Sequence, residues 1–136
     1  MILRGHNLLC IQGFVGKGYS SAFVANMRRI VEGLGEEEGV TIVAHPDAIC
    51  SACPNLDEEG CRLHGAGTER AIAGQDRHVM ARLGIREGET LRWGEIRARI
   101  AARVRPADLD SICGACPWLP LGVCKDGLAR LSPPPR

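Results

Sequence analysis

The chain has 136 residues, which is the size of a single domain. Its formal net charge is +1, so no overall electrostatic field draws it to nucleic acid or to an anionic membrane, and we expect neither as a partner. No apolar run approaches the ~20 residues that span a bilayer, and the first residues lack a secretory signal, which together predict a cytoplasmic protein.

The first residues predict a short helix followed by a turn. Residues 2–12 form an apolar stretch, and a helix over them would place His6 and Cys10 four residues apart on one face. The glycine-punctuated segment 13–21 matches no dinucleotide-binding or phosphate-binding spacing. We therefore interpret it as a turn without a nucleotide site.

Apolar residues at helical spacing predict three longer helices, which run from Phe23 to Leu34, from about Thr68 to Leu83 and from about Leu91 to Val104. Ser20 or Ser21 is expected to cap the first helix, and Thr68 the second. The polar run at 76–78, Asp-Arg-His, falls on the second helix, where we expect a solvated or ion-paired face. The segment VTIVA at 40–44 is a predicted strand for which no partner strand is apparent.

Seven cysteines in a chain of this length indicate metal or redox chemistry rather than a disulfide framework. Six of them lie in two copies of one pattern, D-x-I-C-x-A-C-P-x6-C, at residues 47–61 and 110–124. Two thiolates separated by two small residues can hold one metal ion, because the turn between them aims backbone N–H groups at the sulfurs. Asp47 and Asp110, three residues before the first cysteine of each copy, are expected to accept backbone N–H bonds and brace the turn. We call the copies the first and the second repeat, and each predicts a metal-binding loop.

Each repeat supplies three thiolates, whereas a tetrahedral zinc ion or an iron–sulfur cluster usually takes four protein ligands. The predicted ligand sets are Cys50, Cys53, Cys61 and His64 for the first site, and Cys10, Cys113, Cys116 and Cys124 for the second site. His6 is a competing fourth ligand for either site. An alternative pairing joins the two CxxC pairs in one rubredoxin-like site formed by Cys50, Cys53, Cys113 and Cys116.

The ligand types suit both zinc and iron–sulfur clusters. A cysteine followed by proline, and four thiolates drawn from distant parts of the chain, are typical of [4Fe–4S] ligation, which we expect at the second site. The local set of three cysteines and one histidine at the first site suits Zn²⁺ as well as a second cluster. The expected cofactors are one or two [4Fe–4S] clusters, with Zn²⁺ as the alternative.

The predicted fold class is mainly α. We expect a small helical domain with cysteine-rich metal-binding loops and at most one or two short strands. This single metal-binding domain covers residues 1–131 and contains both repeats. The proline-rich residues 132–136 are expected to form a disordered tail.

Three segments resemble a known family of short bacterial and archaeal proteins, the domain of unknown function 1284 family; they are RGHNLLC at 4–10, VGKGYSSAFVAN at 15–26 and CGACPWLPLGVC at 113–124. The resemblance spreads over nearly the whole chain. Members are often labelled iron–sulfur-binding, so the resemblance implies such a cluster, and it names no reaction. The family opening typically reads Arg-Gly-His-His-Leu-Leu-Cys, so His6 and Cys10 match it and Asn7 stands in place of the second histidine. Many relatives lack a counterpart of Cys53, which implies that the first site is the more variable one.

These observations favour an iron–sulfur protein that carries electrons or senses redox state for an unknown redox or protein partner. The alternative is a zinc-stabilised module that contacts nucleic acid or a protein through the basic third long helix, whose arginines are Arg92, Arg97, Arg99, Arg103 and Arg105. A third hypothesis is an enzyme that uses a cluster or a Cys10–His6 pair as thiolate and base. No Ser-His-Asp, HExxH, P-loop or dinucleotide-binding signature occurs in the chain, so an enzyme is not the favoured interpretation. In a fourth hypothesis, metal binding only stabilises a domain with few aromatic residues.

Overall fold

A computed structural model describes residues 1–14, 16, 19–58, 60–63, 65, 67–112 and 122–131, with the backbone alone described at 123, 124 and 131. Over these residues run six α-helices: α1 (Asn7–Gln12), α2 (Ser21–Gly33), α3 (Thr68–Leu83), α4 (Trp93–Arg103), α5 (Leu109–Ile112) and α6 (Val123–Leu131). Single turns of 3₁₀ helix lie at Cys50–Ala52 and Pro106–Asp108. The expected mainly α class is confirmed, since 55% of the described residues are helical. His64, Cys113, Cys116 and the predicted tail 132–136 lie outside the described residues.

The strands form one small sheet and one hairpin. The sheet has the order β1 (Ile2–Arg4), β2 (Gly39–Val43), β5 (Thr90–Arg92), with β1 parallel and β5 antiparallel to β2. The hairpin pairs β3 (Leu56–Asp57) with β4 (Gly60–Cys61) inside the first repeat. The expectation of at most one or two strands was wrong, because five short strands occur in the described part of the chain. Strands of two or three residues are too short to display the alternation by which a strand is recognised.

The first twelve residues do not form one helix. Leu3 pairs with Ile42 in the parallel ladder. The apolar residues that suggested a helix therefore form β1, the partner strand that was missing from the prediction for β2. The chain leaves the sheet at Gly5, whose N–H donates to the carbonyl of Val43 (3.0 Å), and then enters α1. The RGH segment is therefore held between a sheet and a helix.

The longer helices lie close to their predicted positions. Ser20 is the N-cap of α2, and its Oγ accepts the N–H of Phe23 (3.1 Å), as expected. The helix predicted from Thr68 to Leu83 is confirmed, but Thr68 is not its cap. Gly67 holds that position with φ +88°, a left-handed conformation that glycine adopts readily, and the Thr68 hydroxyl donates to the carbonyl of Gly65. The third long helix begins two residues later than expected because residues 90–92 join the sheet as β5.

One apolar cluster connects the sheet with the helices. It contains Val40 and Ile42 of β2 together with side chains that repeat at helical spacing on α2, α3 and α4: Phe23, Met27, Ile30, Val79, Met80, Leu83, Trp93, Ile96 and Ile100. Four consecutive residues of α1, Leu8 to Ile11, join the same cluster. Among the described helices, none is both long and apolar enough to cross a bilayer.

Candidate metal centre and the Arg4 cluster

A cluster of polar side chains, most of them buried, is built around Arg4, the last residue of β1. Its guanidinium makes a two-pronged contact with Glu69, from Nη1 to Oε1 (2.8 Å) and from Nη2 to Oε2 (2.7 Å). Its Nε donates to Oδ2 of Asp76 (2.8 Å). Burial by itself lowers the pKa of Arg4, but the hydrogen bonds and charges of these carboxylates raise that pKa well above its usual range. The side chain is therefore a fixed internal cation; we call this set, Arg4, His6, Asn7, Asp47, Glu69 and Asp76, the Arg4 cluster.

Asp76 lies at the centre of this cluster, where it is ion-paired with Arg4, one of the two states expected for 76–78, but the pair is buried and does not lie on a surface face. The Asp76 side chain is fully buried. Its Oδ1 accepts the backbone N–H of His6 (2.9 Å) and contacts the His6 ring at Nδ1 (2.7 Å). A signal was present in the sequence, because position 76 lies one helical turn from both Ile72 and Met80, two of the apolar residues at helical spacing that predict this helix. A carboxylate on such a stripe requires a buried partner.

His6 is oriented by this contact. Nδ1 is engaged by Asp76, whereas Nε2 has no hydrogen-bond partner among the described residues. The His6 side chain keeps 18% of its surface exposed. A carboxylate on one ring nitrogen fixes the tautomer and directs the other nitrogen outward, as in many metal-binding histidines. The geometry therefore makes His6 able to act as a ligand or a base.

Asp47 braces the first repeat as predicted. Its Oδ1 accepts the backbone N–H groups of Ile49 (2.9 Å) and Cys50 (3.0 Å). Its Oδ2 accepts the backbone N–H of Arg4 (2.7 Å) and the side-chain amide of Asn7 (3.0 Å). One carboxylate thus joins the start of the repeat to residues 4–7 of the chain.

Cys50 and Cys53 flank the 3₁₀ turn, and the N–H of Cys53 donates to the carbonyl of Cys50 (2.9 Å). Sγ of Cys50 lies 4.0 Å from Nη1 of Arg4 and 4.0 Å from Nδ2 of Asn7. Burial first, and then the negative charge of Asp47, raise the pKa of the Cys50 thiol to about 12. In the metal-free protein this thiol therefore keeps its proton at neutral pH.

The hairpin returns the third cysteine of the first repeat to the Arg4 cluster. Cys61 pairs with Leu56 across β3 and β4, and its N–H donates to Oε1 of Glu69 (3.1 Å). Burial works to raise the pKa of Glu69, but hydrogen bonds from Arg4 and from this N–H hold it below its usual range. Arg4 thus links Cys50, which it contacts directly, to Cys61 through Glu69.

The thiols of the first repeat have the donor chemistry for a thiophilic metal. Cys50, Cys53 and Cys61 are free thiols. Within the described ranges, however, no three His, Cys, Asp or Glu side chains are arranged to hold a metal ion. The set that these thiols form with His64 stays a prediction, since His64 lies outside those ranges.

Around the second repeat the described segments come together from three parts of the chain. Nζ of Lys125 in α6 lies 2.7 Å from Oδ1 of Asp110 in α5. Helix α1 packs against α6, where Gly127 approaches the backbone of Gln12 so closely that a Cβ atom would overlap it. Helix α1 carries Cys10, which is only 7% exposed. The helices that carry Cys10 and position 124 are therefore neighbours.

Comparisons with known proteins identify a family. The family described as "Protein of unknown function (DUF1284)" matches residues 18–122. The chain belongs to this family. No curated protein and no solved structure matches it. The range matched to DUF1284 contains the first repeat and α2 to α5, whereas Arg4, His6, Cys10 and Cys124 lie outside it.

Two alternative sites can be compared with the geometry of this DUF1284 protein. On the basic helix α4 and its start, three arginines are paired with glutamates: Arg92 with Glu37, Arg97 with Glu36 and Arg99 with Glu95. These pairs match the ion-paired face that a soluble helix commonly has.

The His6–Cys10 pair meets through the backbone, where the N–H of Cys10 donates to the carbonyl of His6 (3.2 Å), while Nδ1 of the ring is engaged by Asp76. The rubredoxin-like pairing stays a prediction, because Cys113 and Cys116 are outside the described residues.

Proposed function

We propose that this protein is a cysteine-ligated iron–sulfur protein that carries electrons or senses redox state for a partner protein. Its main centre is the second site, with the ligands Cys10, Cys113, Cys116 and Cys124. The observation that carries this proposal is the Lys125–Asp110 contact beside the packing of α1 against α6. Lys125 follows Cys124 directly, and Asp110 lies three residues before Cys113. This proximity supports a common site for Cys10, the CxxC pair of the second repeat and the third cysteine of that repeat, Cys124.

The environment of Cys10 suits such a role. Its helix belongs to the apolar core, so this side of the site is shielded from water. Solvent access and hydrogen bonds to the sulfurs set the reduction potential of an iron–sulfur centre. A bound cluster would supply one-electron transfer, and the chain would supply the thiolates, the shielding and a rigid frame. His6 remains an alternative fourth ligand, supported by its orientation on Asp76 and by an Nε2 that has no partner in the described part of the chain.

The test is metal and sulfide analysis of anaerobically purified protein, with visible spectra before and after dithionite. We expect iron, inorganic sulfide and a charge-transfer absorbance that dithionite bleaches. Cys113→Ser should remove this absorbance, whereas Cys53→Ser, the matched change in the first repeat, should keep the part that arises at the second site. Wild-type protein that stays colourless and free of iron after anaerobic reconstitution would overturn the proposal.

A zinc-stabilised first site is the second candidate. It is favoured by the way the Arg4 cluster holds both ends of the first repeat, through Asp47 at Cys50 and through Glu69 at Cys61. A loop fixed at both ends suits a metal that stabilises without redox chemistry. One equivalent of zinc that is retained in Cys113→Ser and lost in Cys53→Ser would support this candidate. Zinc that is lost in Cys113→Ser and retained in Cys53→Ser would exclude this candidate.

A further inference from the structure

The first repeat holds two thiols on a single turn of 3₁₀ helix. The N–H of Cys53 donates to the carbonyl of Cys50 (2.9 Å), which closes the turn. A 3₁₀ helix rises about 2 Å per residue with three residues per turn, so residues three apart have Cα atoms about 6 Å apart and side chains on the same side. A disulfide needs a Cα–Cα distance of about 4.4–6.8 Å. The backbone therefore already has the spacing of a Cys50–Cys53 disulfide.

Contacts from outside the pair keep this turn in place. Oδ1 of Asp47 accepts the backbone N–H groups of Ile49 (2.9 Å) and Cys50 (3.0 Å). On the other side, Nδ2 of Asn26 in α2 donates to the carbonyl of Ala48 (2.8 Å). A turn that is already ordered loses little conformational entropy when its two side chains become linked. The folded protein therefore favours a bond within the pair over a bond from either sulfur to another molecule.

Both sulfurs are available for thiol chemistry. Cys50 and Cys53 are free thiols on half-buried residues. Nη1 of Arg4 and Nδ2 of Asn7 each lie 4.0 Å from Sγ of Cys50, and Nδ2 of Asn55 lies 3.7 Å from Sγ of Cys53. Such N–H groups are placed to stabilise the negative charge that a sulfur carries when it attacks or leaves during thiol–disulfide exchange.

We propose that Cys50 and Cys53 are a reversible dithiol–disulfide pair that is oxidised by a low-molecular-weight disulfide. One cysteine, as its thiolate, attacks a sulfur of the small disulfide, and the other half of that molecule leaves as a thiolate. The second cysteine then attacks the mixed disulfide and displaces the remaining half. The protein gives up two electrons and two protons, and the small disulfide becomes two thiols. The first repeat thus has a redox activity that goes beyond the iron–sulfur proposal, because no metal takes part.

The test equilibrates the full-length protein in glutathione redox buffers that contain a chelator, and then alkylates the remaining thiols. A protease that cleaves after glutamate cuts at Glu38 and Glu58 and releases residues 39–58, which contain Cys50 and Cys53 and no other cysteine. Mass spectrometry should show this peptide doubly alkylated in reducing buffer. In oxidising buffer it should be unalkylated and two hydrogen atoms lighter than the dithiol, and dithiothreitol should reverse the change.

Variants of the three thiols locate the bond. Cys50→Ser and Cys53→Ser should each abolish the oxidised form of peptide 39–58. Cys61→Ser is the matched control in the same repeat and should leave it unchanged. The fixed turn should also make the equilibrium constant for disulfide formation about tenfold higher in the folded protein than in the same chain unfolded in urea.

Four results would overturn the inference. They are a peptide 39–58 that stays doubly alkylated at every glutathione ratio, a stable mixed disulfide with glutathione in place of the internal bond, a crosslink to Cys61, and equal equilibrium constants in the folded and unfolded chain. Each of them leaves the iron–sulfur proposal standing. Conversely, wild-type protein that takes up no iron would overturn that proposal and leave the redox activity of the first repeat unaffected.

Discussion

Arg4 is a fully buried cation whose side chain contacts α3 and the first repeat. Its side chain touches Glu69 and Asp76 on α3 and approaches Cys50 in the first repeat. An ion pair of this kind is hard to replace one partner at a time, because removal of either charge leaves the other buried and unpaired. The contribution of Arg4 to stability comes from these buried partners. An arginine paired on the exposed surface would contribute little.

Arg4→Met should lower the free energy of unfolding by about 3–5 kcal/mol in urea denaturation at neutral pH, because Asp76 and Glu69 lose their counter-charge. Arg4→Lys should restore only part of this loss, because one ammonium cannot reproduce the two-pronged contact. Arg77→Met is the matched control, since the Arg77–Glu87 pair is exposed, and it should change stability by less than about 0.5 kcal/mol. Equal stability of Arg4→Met and Arg77→Met would contradict the account of the Arg4 cluster.

Glu69 should make stability depend on pH in the acid range. Its pKa is lower in the folded protein than the ordinary value near 4.5, so its contribution is complete above that value and is lost as pH falls through the folded pKa. Glu69→Gln should therefore cost about 2 kcal/mol at pH 7, and the difference from wild type should shrink as the pH is lowered below about 4.5. Urea denaturation of both proteins across this range measures the difference, and carboxylates distant from Glu69 contribute equally to both. A difference that stays constant down to the acid limit would exclude this role.

At the scale of elements, two glycines inside helices have different surroundings. Helix α6 lies against the end of α1 because Gly127 has no side chain to separate them. Helix α3 also contains a glycine, Gly74, but a Cβ there would meet nothing. The two glycines have the same conformational cost in a helix and differ in what surrounds them.

Gly127→Ala and Gly74→Ala should therefore act in opposite directions. Gly74→Ala should raise the free energy of unfolding by up to about 1 kcal/mol, since alanine is the better helix former. Gly127→Ala should lower it by about 1–3 kcal/mol, because the new methyl group forces α6 away from α1. Thermal denaturation of both variants measures the difference in sign. If Gly127→Ala proved as stabilising as Gly74→Ala, the close packing of α1 and α6 would be refuted.

At the scale of the molecule, α3 connects the two repeats. Its Glu69 and Asp76 belong to the Arg4 cluster beside the first repeat, and its Gln75 holds the residue before Cys113 in the second. The two proposed sites therefore share one helix as part of their frame. Binding energy at either site contributes to the stability of the same folded unit.

Metal binding should stabilise the whole protein in a concentration-dependent way. A ligand that binds only the folded state at about 100 times its Kd adds about 2.7 kcal/mol, so anaerobic titration with Zn²⁺ or Co²⁺ should raise the melting temperature steadily. The Cys113→Ser, Cys116→Ser double variant should lose the part that depends on the second site. A melting temperature that does not respond to either metal would count against both proposed sites.

Local patterns predicted part of this fold, and contacts distant in sequence account for the rest. The stripes of α2 and α3 were visible because each spans several turns, and the brace by Asp47 was visible because it acts within three residues. Strands β1 and β5 were missed since three residues show no alternation. The Arg4 cluster was missed because its ion pairs join residues 65 and 72 positions apart, and no local pattern carries such information.

The order of synthesis gives the Arg4 pairing a further consequence. Residue 4 leaves the ribosome before its carboxylate partners, which are translated 65 and 72 residues later. At ordinary elongation speeds the nascent guanidinium remains solvated for on the order of ten seconds before Asp76 emerges. The first parallel strand pair can form once residue 43 is available, but the buried ionic centre has to close late, after most of α3 has left the exit tunnel.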